Sequence, residues 1–471
     1  MDYQDFISQP KSLLIAPAGY GKTYTIVECI KFCSDSERQL ILTHTHAGIA
    51  SLKGKFKLQN VPSTKYHIET ITGFIQKYVL AFYCGKDLPQ QDADNYFDMI
   101  QDKALGLFKL NAIKRIINSS YNNLFVDEYQ DCSKIQHKFI MLLADVLHTH
   151  ILGDPMQGIF DFRGELVNFS TDLVDFGKSY ELETPWRWND NGNNRGLGKN
   201  LKDIRSKLQS KSTIKLGNYN SIETVICNEN DWYKQNSQYR NKLMNLLNEN
   251  SLLIIHPTTS SIEPRLNIIR LFNSRLLLLE SIDDKDSYSI SKKIDNWGNK
   301  SIILLVRELS YKFFNTTGVN TWFNKSGFKK KTEADSKQKV ESLQRLIEEI
   351  QSGMDYSKLS TIIKGIMCLP HIKCYRKNLV FSVCAALIIA ATDNKSVYEA
   401  MISYKNTIRR VGKKIYGKCI GTTLLTKGLE FDTVAILNAH KFNNYKHFYV
   451  AITRACKKLV IFSNTYDINF N

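Results

Sequence analysis

The sequence has no Cys-x-x-Cys pair and no Cys/His cluster at metal-ligand spacing, although ten cysteines are scattered through its 471 residues. That speaks against a zinc scaffold and a disulfide framework. Cys29, Cys132 and Cys384 sit inside apolar or helical patterns, where free thiols act as small hydrophobes. A reduced, cytoplasmic compartment is the expected home. No apolar run reaches the ~20 residues of a membrane span. The longest, Leu379 to Ala391, reads as a buried helix. The opening MDYQDFISQPK is acidic and poor in apolar residues, unlike a signal peptide, so a soluble chain is expected. Acidic residues are the minority, 46 against 63 Lys+Arg, for a net charge of +17. That excess suits a polyanionic partner, because each neutralised phosphate releases condensed counterions. A basic surface serving solubility alone is the plainer alternative.

What is present is a recurring unit: a short apolar run, a turn, then a helical pattern. Ser12–Ala16, Gln39–Thr43, Asn123–Val126 and His150–Gly153 read as strands buried on both faces, the signature of a parallel sheet in an α/β fold. The pattern resumes at Ser251–Ile255, Arg275–Glu280 and Thr433–Leu437, and ends at Lys458–Phe462, implying a second α/β core built from two separated stretches. At 471 residues two or more domains are expected. Between roughly 283 and 415 the spacing turns helical, as in Ser336–Ile350, and a smaller helical insertion is expected near 78–119.

Residues 16–23, Ala-Pro-Ala-Gly-Tyr-Gly-Lys-Thr, stand directly after a strand and before a helical run. This is a Walker A arrangement with Ala16 in the place of the first glycine. Gly19 and Gly21 let the backbone curl around a phosphate, Lys22 reaches the β/γ oxygens, and the Thr23 hydroxyl holds Mg²⁺. A strand ending in acid is the required partner. Leu124-Phe125-Val126-Asp127-Glu128 supplies it, with Asp127 for the metal and Glu128 to polarise the attacking water. An acidic turn before a helix capped at Ser133 is the plainer alternative.

Asp127-Glu128-Tyr129-Gln130-Asp131 resembles the DExxQD signature of the UvrD-like superfamily 1 DNA helicases. The stretch Gly153 to Gly164 resembles their GDxxQxIYxFRG motif, Thr426 to Phe431 their KGLEF motif, and Tyr449 to Ala455 their YVALTRA motif. The order is preserved from about residue 4 to 463. The resemblance implies two RecA-like P-loop domains with parallel sheets, each carrying a mainly helical insertion: 1–190 with its insertion at 78–119, 191–282 plus 416–471, and a helical insertion over 283–415. It implies ATP or dATP with Mg²⁺ in the cleft. Gln157 would sense the γ-phosphate, Arg187 and Arg454 would stabilise transition-state charge, and Glu430 would contact the ribose. Gln4 would read adenine, with Gln9 as a competitor. Trp186-Arg187-Trp188 also suits a packed cation–π cluster.

By the same resemblance Thr43, His44, Thr70 and Phe74 contact the DNA strand, and Phe160 and Phe162 stack on bases; both phenylalanines also suit a core strand end. The motif around Lys427 usually carries a His three residues earlier, where this chain has Leu424. Compact members of this size resemble the helicase-like subunit of the two-gene Gabija anti-phage system, which pairs with an OLD-family nuclease. Two functions are therefore expected in competition: an ATP-driven single-stranded-DNA translocase or helicase, 3′→5′ by resemblance, and a DNA-sensing regulatory subunit for such a nuclease.

Overall fold

The computed structural model describes the chain except residues 92, 94, 160–164, 190–193, 273–274, 281–284, 299, 351–354, 412–416 and 471. The backbone gathers into two compact units, Met1–Thr259 with Arg409–Asn471, and Ser260–Ile408.

The first unit opens with β1 (Lys11–Ile15), β2 (Gln39–Thr43), β3 (Tyr66–Thr70), β4 (Asn123–Val126), β5 (His148–Gly153) and β6 (Lys178–Glu181). They form one sheet in the order β3-β2-β4-β5-β1-β6, every neighbouring pair parallel. Alternate residues of its central strands enter different cores, as the two-residue period of a strand requires. Leu14, Ile41, Phe125 and Leu152 pack on one face. Leu13, Leu40, Leu42, Leu124, Val126 and Ile151 pack on the other. Two covered faces explain why these strands read as unbroken apolar runs.

The chain continues through β7 (Ile214–Lys215), β8 (Ile222–Ile226) and β9 (Leu252–Ile255), with β10 (Leu277–Leu278) in the second unit, then β11 (Lys418–Gly421), β12 (Phe431–Ile436), β13 (Ala455–Ser463) and β14 (Asp467–Ile468). Within the first unit a second parallel sheet runs β11-β9-β12-β13-β8. A two-strand antiparallel pair, β14 with β7, stands beside it. The expected α/β class with parallel sheets is borne out. Of the expected strand 275–280 only Leu277–Leu278 is extended.

The second unit is built of helices, including Ile302–Phe313, Ala334–Ile350, Tyr356–Met367 and Lys377–Asp393. Their apolar faces share one core that includes Leu305, Leu309, Leu343, Ile347, Leu359 and Leu387. The longest apolar run of the sequence lies in Lys377–Asp393, with Leu379, Val380, Val383 and Leu387 buried. Among the described residues no single helix is long and apolar enough to cross a membrane.

Helices Ile71–Phe82, Tyr96–Leu107 and Asn111–Ser120 close over the first sheet. Their anchor is Phe74, fully buried, with ring centroids 4.8 Å from Tyr78, 6.2 Å from Phe108 and 6.4 Å from Phe139. Phe74→Ala should therefore cost about 3–5 kcal/mol in urea denaturation. A loss below ~1 kcal/mol would show that the aromatic cluster is not packed.

Candidate functional site

β1 leads into the loop at residues 16–21, and helix Lys22–Phe32 leads out of it. The Ala16 N–H donates to the Gly153 carbonyl at the end of β5, 3.0 Å away. Gly19 and Gly21 have φ of +79° and +97°, a region side chains reach only at a cost. A Cβ on Gly19 would also stand 2.6 Å from the Trp188 ring. Gly21 is the N-cap of the helix, and no side chain caps it. The first-turn N–H groups are thus left for an anion, with the helix dipole behind them. Thr23 lies in that first turn, partly exposed.

β4 delivers the two acids. The Asp127 N–H donates to the Leu42 carbonyl at 2.8 Å. Lys22 Nζ lies 3.1 Å from Asp127 Oδ1 and 2.6 Å from Glu128 Oε1. Burial works to lower the Lys22 pKa, but the two carboxylates overcome it and hold the ammonium above the usual lysine range. Burial raises Asp127, against the pull of Lys22. Glu128 falls well below the carboxylate range, since Lys22 and Lys427 outweigh its burial. Its backbone is left-handed, φ +59°, a strain that for a non-glycine marks functional turns more often than bland ones.

Around these three residues the hydrogen bonds continue without a break. The Gln130 amide donates to Glu128, and its oxygen accepts the Asp154 N–H at 2.9 Å. Lys427 Nζ bonds to Asp131 and to the Gln157 carbonyl, and lies 4.0 Å from Glu128 Oε2. Burial pushes the Asp131 carboxyl up to about 6 against the attraction of Lys427. Gln157 Nε2 donates to Asp154 Oδ2 at 3.0 Å, and Gln157 Oε1 accepts from Arg454 Nη2 at 3.1 Å. Arg454 also donates to the Val450 carbonyl at 2.9 Å and the Leu429 carbonyl at 3.3 Å. Burial, with Arg187 nearby, brings its pKa down to about 10, so it stays charged at neutral pH.

Arg187 sits on the turn of helix Trp186–Asn189, its N–H bonded to the Gly19 carbonyl at 2.9 Å. Its guanidinium donates to Glu430 Oε1 at 2.6 Å and to the Thr453 carbonyl at 2.5 Å. The Arg187 charge holds the Glu430 carboxyl down at about 2. Trp188 is buried, with Nε1 donating to the Ala455 carbonyl of β13 at 2.9 Å. Of the cation–π reading of Trp186-Arg187-Trp188 one pair is present, the guanidinium lying 5.3 Å from the Trp188 ring centroid, while Trp186 is exposed.

The structure therefore brings together Ala16, Gly19, Gly21, Lys22, Asp127, Glu128, Gln157, Arg187, Glu430 and Arg454, with Thr23 at the rim. The expected strand contacts fare differently. Thr43 is fully buried and Thr70 nearly so; the Thr70 hydroxyl caps helix Ile71–Phe82 by accepting the Gly73 N–H at 3.0 Å. Phe74 is core. All three lie inside the fold here, and contact of these residues with a DNA strand is a proposal. His44 is half-buried, with Nε2 3.2 Å from Cys132 Sγ. Phe160 and Phe162 lie outside the described residues. Gln4 is exposed on helix Tyr3–Ser8, whose Tyr3 ring packs 6.2 Å from Phe32 at the far end of the phosphate-loop helix.

Two participants escape a reading by motif. Arg205 grips Asp154 with both guanidinium nitrogens at 2.8 Å and donates to the Tyr449 hydroxyl at 2.7 Å. Burial raises the pKa of that hydroxyl, and the backbone of Ala18 in the phosphate loop acts against the rise. Arg205 belongs to helix Arg195–Gln209, whose many charges look like a solvated face in sequence. Its only signal is its place beside the buried Ile204. Lys427 stands inside a recognisable motif, but nothing in the sequence pairs it with Asp131.

Arg205→Met should destabilise the chain by about 3–5 kcal/mol, since it strands the buried Asp154 carboxylate, and Asp154→Asn in that background should restore part of the loss in denaturation assays. Asp131 gives a pH signature. Its folded pKa near 6 exceeds the ordinary 3.8, so between these values the native state holds a proton that the unfolded chain has released. The wild type should then lose stability relative to Asp131→Asn as pH rises from about 4 to about 6. A relative gain over that window would show that Lys427 outweighs burial.

Comparison with known proteins fits this geometry. Residues 83–176 match the UvrD/REP helicase N-terminal domain. The chain is 29% identical to Gabija protein GajB of Bacillus cereus (strain VD045), over 37% of this chain and 43% of GajB. It is 29% identical to RecBCD enzyme subunit RecB of Buchnera aphidicola, over 29% of this chain and 11% of RecB. It is 37% identical to DNA helicase II of Escherichia coli (strain K12), over 17% of this chain and 13% of that protein. The chain thus spans less than half the length of each of these relatives. Pif1 helicase from Candida albicans superposes with a TM-score of 0.44 at 9% identity, covering 99% of this chain and 95% of that one. The expected resemblance is borne out: residues 83–176 match the UvrD/REP helicase N-terminal domain, and the chain is similar over part of its length to GajB and to DNA helicase II.

Proposed function

We propose that the chain is an ATP- or dATP-hydrolysing motor that moves along single-stranded DNA, 3′→5′, and separates duplexes. The observation that carries this reading is the convergence of Lys22, Asp127 and Glu128 from the first sheet with Arg454 from the second on one buried site. Residues 1–190 and 191–282 with 416–471 act in this proposal as the two halves of a nucleotide clamp, and 283–415 as its helical appendage.

The uncapped first turn and the Lys22 ammonium fit a polyphosphate, and the Thr23 hydroxyl with the Asp127 carboxylate fits a hard cation such as Mg²⁺. When bound, that ion supplies charge neutralisation at the β/γ oxygens. Lys22, now between two carboxylates, exchanges them for phosphate oxygens. Glu128, kept ionised by Lys22 and Lys427, accepts the proton of the attacking water as its oxygen bonds to phosphorus and the bond to the nucleoside diphosphate breaks. Arg454 and Arg187 lie where cations offset the charge on the departing oxygens, and Gln157 links Arg454 to the first sheet. Because Arg454 comes from the second half of the clamp while Lys22 and Glu128 come from the first, hydrolysis and relative motion of the halves are tied together. The +17 net charge suits a polyphosphate track.

The GajB likeness, with more shared length than the other relatives described, favours a second reading: a DNA-sensing regulatory subunit that controls a partner nuclease of the OLD family in anti-phage defence, without processive unwinding. Half-buried Leu424, where the helicase motif usually has His, agrees with altered coupling between strand and nucleotide.

ATP turnover should rise with added single-stranded DNA, and a flat titration would sink the motor reading. Lys22→Ala should lower turnover about 10²–10³-fold, as loss of one preorganised donor to transition-state charge does. Glu128→Gln should still bind ATP but not hydrolyse it; retained turnover would move the base elsewhere. Strand displacement by the purified chain alone on a 3′-tailed duplex separates the two readings, since the regulatory one expects none.

A further inference from the structure

Far along the chain from the phosphate loop, the second unit holds a cavity of about 900 Å³, within the size range of small-molecule sites. Its charged lining is of one sign. Arg270, Lys312, Lys373 and Arg376 contribute, the His371 imidazole stands beside them, and no carboxylate lies among the described lining residues. Thr316, Thr317 and Thr321 add hydroxyls, and Tyr311 and Tyr375 add ring faces. Such a set, cations with hydroxyls and two aromatic rings, is the chemistry that receives a phosphorylated nucleoside: charge for phosphate, a π-face for the base.

Hydrogen bonds within the protein hold the walls in place. Asn315 clamps the loop opposite it, donating from Nδ2 to the His371 carbonyl at 3.3 Å and accepting the Lys373 N–H on Oδ1 at 2.6 Å. Its own N–H donates to the Lys373 carbonyl at 3.1 Å. Trp322 Nε1 fastens the same loop at the Pro370 carbonyl, 2.8 Å away. His371 is forced to φ +64°, and its carbonyl approaches so closely that a Cβ on Gly318 would stand 2.3 Å from it. Backbone strain of this kind survives only where the surroundings impose it, and it gathers at ligand clamps. Behind the cavity Glu280 and Asp286 fix the Arg376 guanidinium. The Arg270 guanidinium lies 5.6 Å from the Tyr375 ring centroid and donates to Glu263 Oε2 at 3.3 Å and to Asn267 Oδ1 at 2.9 Å.

We propose that this cavity binds a nucleoside phosphate, either a free nucleotide or the phosphorylated terminus of a strand. The site is separate from the phosphate loop and does not depend on the loop's proposed activity. A fluorescent ATP analogue titrated into the full chain carrying Lys22→Ala reads it with the loop lysine removed. Binding should persist there and weaken about tenfold or more when Lys312→Glu and Lys373→Glu are added, since each removes a charge-assisted contact. Tyr375→Ala should weaken the analogue while leaving competition by inorganic pyrophosphate unchanged, a split that a general loss of fold would not produce. Competition by unlabelled ATP but not by a 5′-phosphorylated tetranucleotide assigns the site to free nucleotide, and the reverse assigns it to a strand end. Absence of binding in Lys22→Ala, or binding indifferent to the charge reversals, overturns the proposal. So does displacement by unphosphorylated duplex DNA alone.

Discussion

Lys22, Lys427, Arg205 and Arg454 meet Asp127, Glu128, Asp131 and Asp154 in ground largely withdrawn from solvent, where the ends of the two sheets converge. Removing any one partner would leave an uncompensated charge at low dielectric, a penalty of several kcal/mol. That constraint dictates the rest of the unit. It requires strand β4 to stop at Val126 so that acids follow, the second sheet to approach closely enough for Arg454 to touch Gln157, and helix Arg195–Gln209 to turn an arginine inward. The same pairs explain the spread of pKa values: Glu128 sits between two lysines and is held down, whereas Asp131, with one lysine and deeper burial, is pushed up. A triphosphate brings more negative charge into this balance, and it is accepted only if the cations now spent on carboxylates turn toward it.

The interior of the fold was legible because interior strands have two buried faces. Gln39–Thr43 and Asn123–Val126 have the bounds expected from the apolar runs Leu40–Leu42 and Leu124–Val126 within them. What was not legible lies at the sheet margins. Tyr66–Thr70, Lys178–Glu181 and Ile222–Ile226 are all edge strands. Their sequences mix charge with aromatic or β-branched residues, because a margin strand keeps a flank in water. Lys178–Glu181 has no buried residue at all. Such a strand is held by its neighbour's backbone rather than by its own side chains, so hydropathy alone has nothing to report.

The site was legible wherever the chemistry demands a fixed local spacing. Glycines at 19 and 21, lysine at 22 and paired acids after a strand are short-range requirements, visible without a fold. Arg205 and the Lys427–Asp131 pair are long-range ones: 51 residues separate Arg205 from Asp154, and 296 separate Lys427 from Asp131. No local pattern marks a surface-looking arginine as buried. At Thr43, Thr70 and Phe74 motif position suggested an outward role, and all three are buried. The hydroxyl of Thr70 and the ring of Phe74 had inward duties that the motif does not encode.

Trp188 joins features that the sequence keeps far apart. Its indole presses on Gly19 in the phosphate loop while its N–H is tied to the Ala455 carbonyl of β13. The loop's free width at Gly19 is therefore gauged by a ring whose seat belongs to the other sheet. If that sheet shifts, the indole shifts with it, and the width of the loop at Gly19 narrows or widens in step. A single aromatic side chain thus works as a mechanical feeler, reporting the posture of one half of the molecule to the aperture carried by the other.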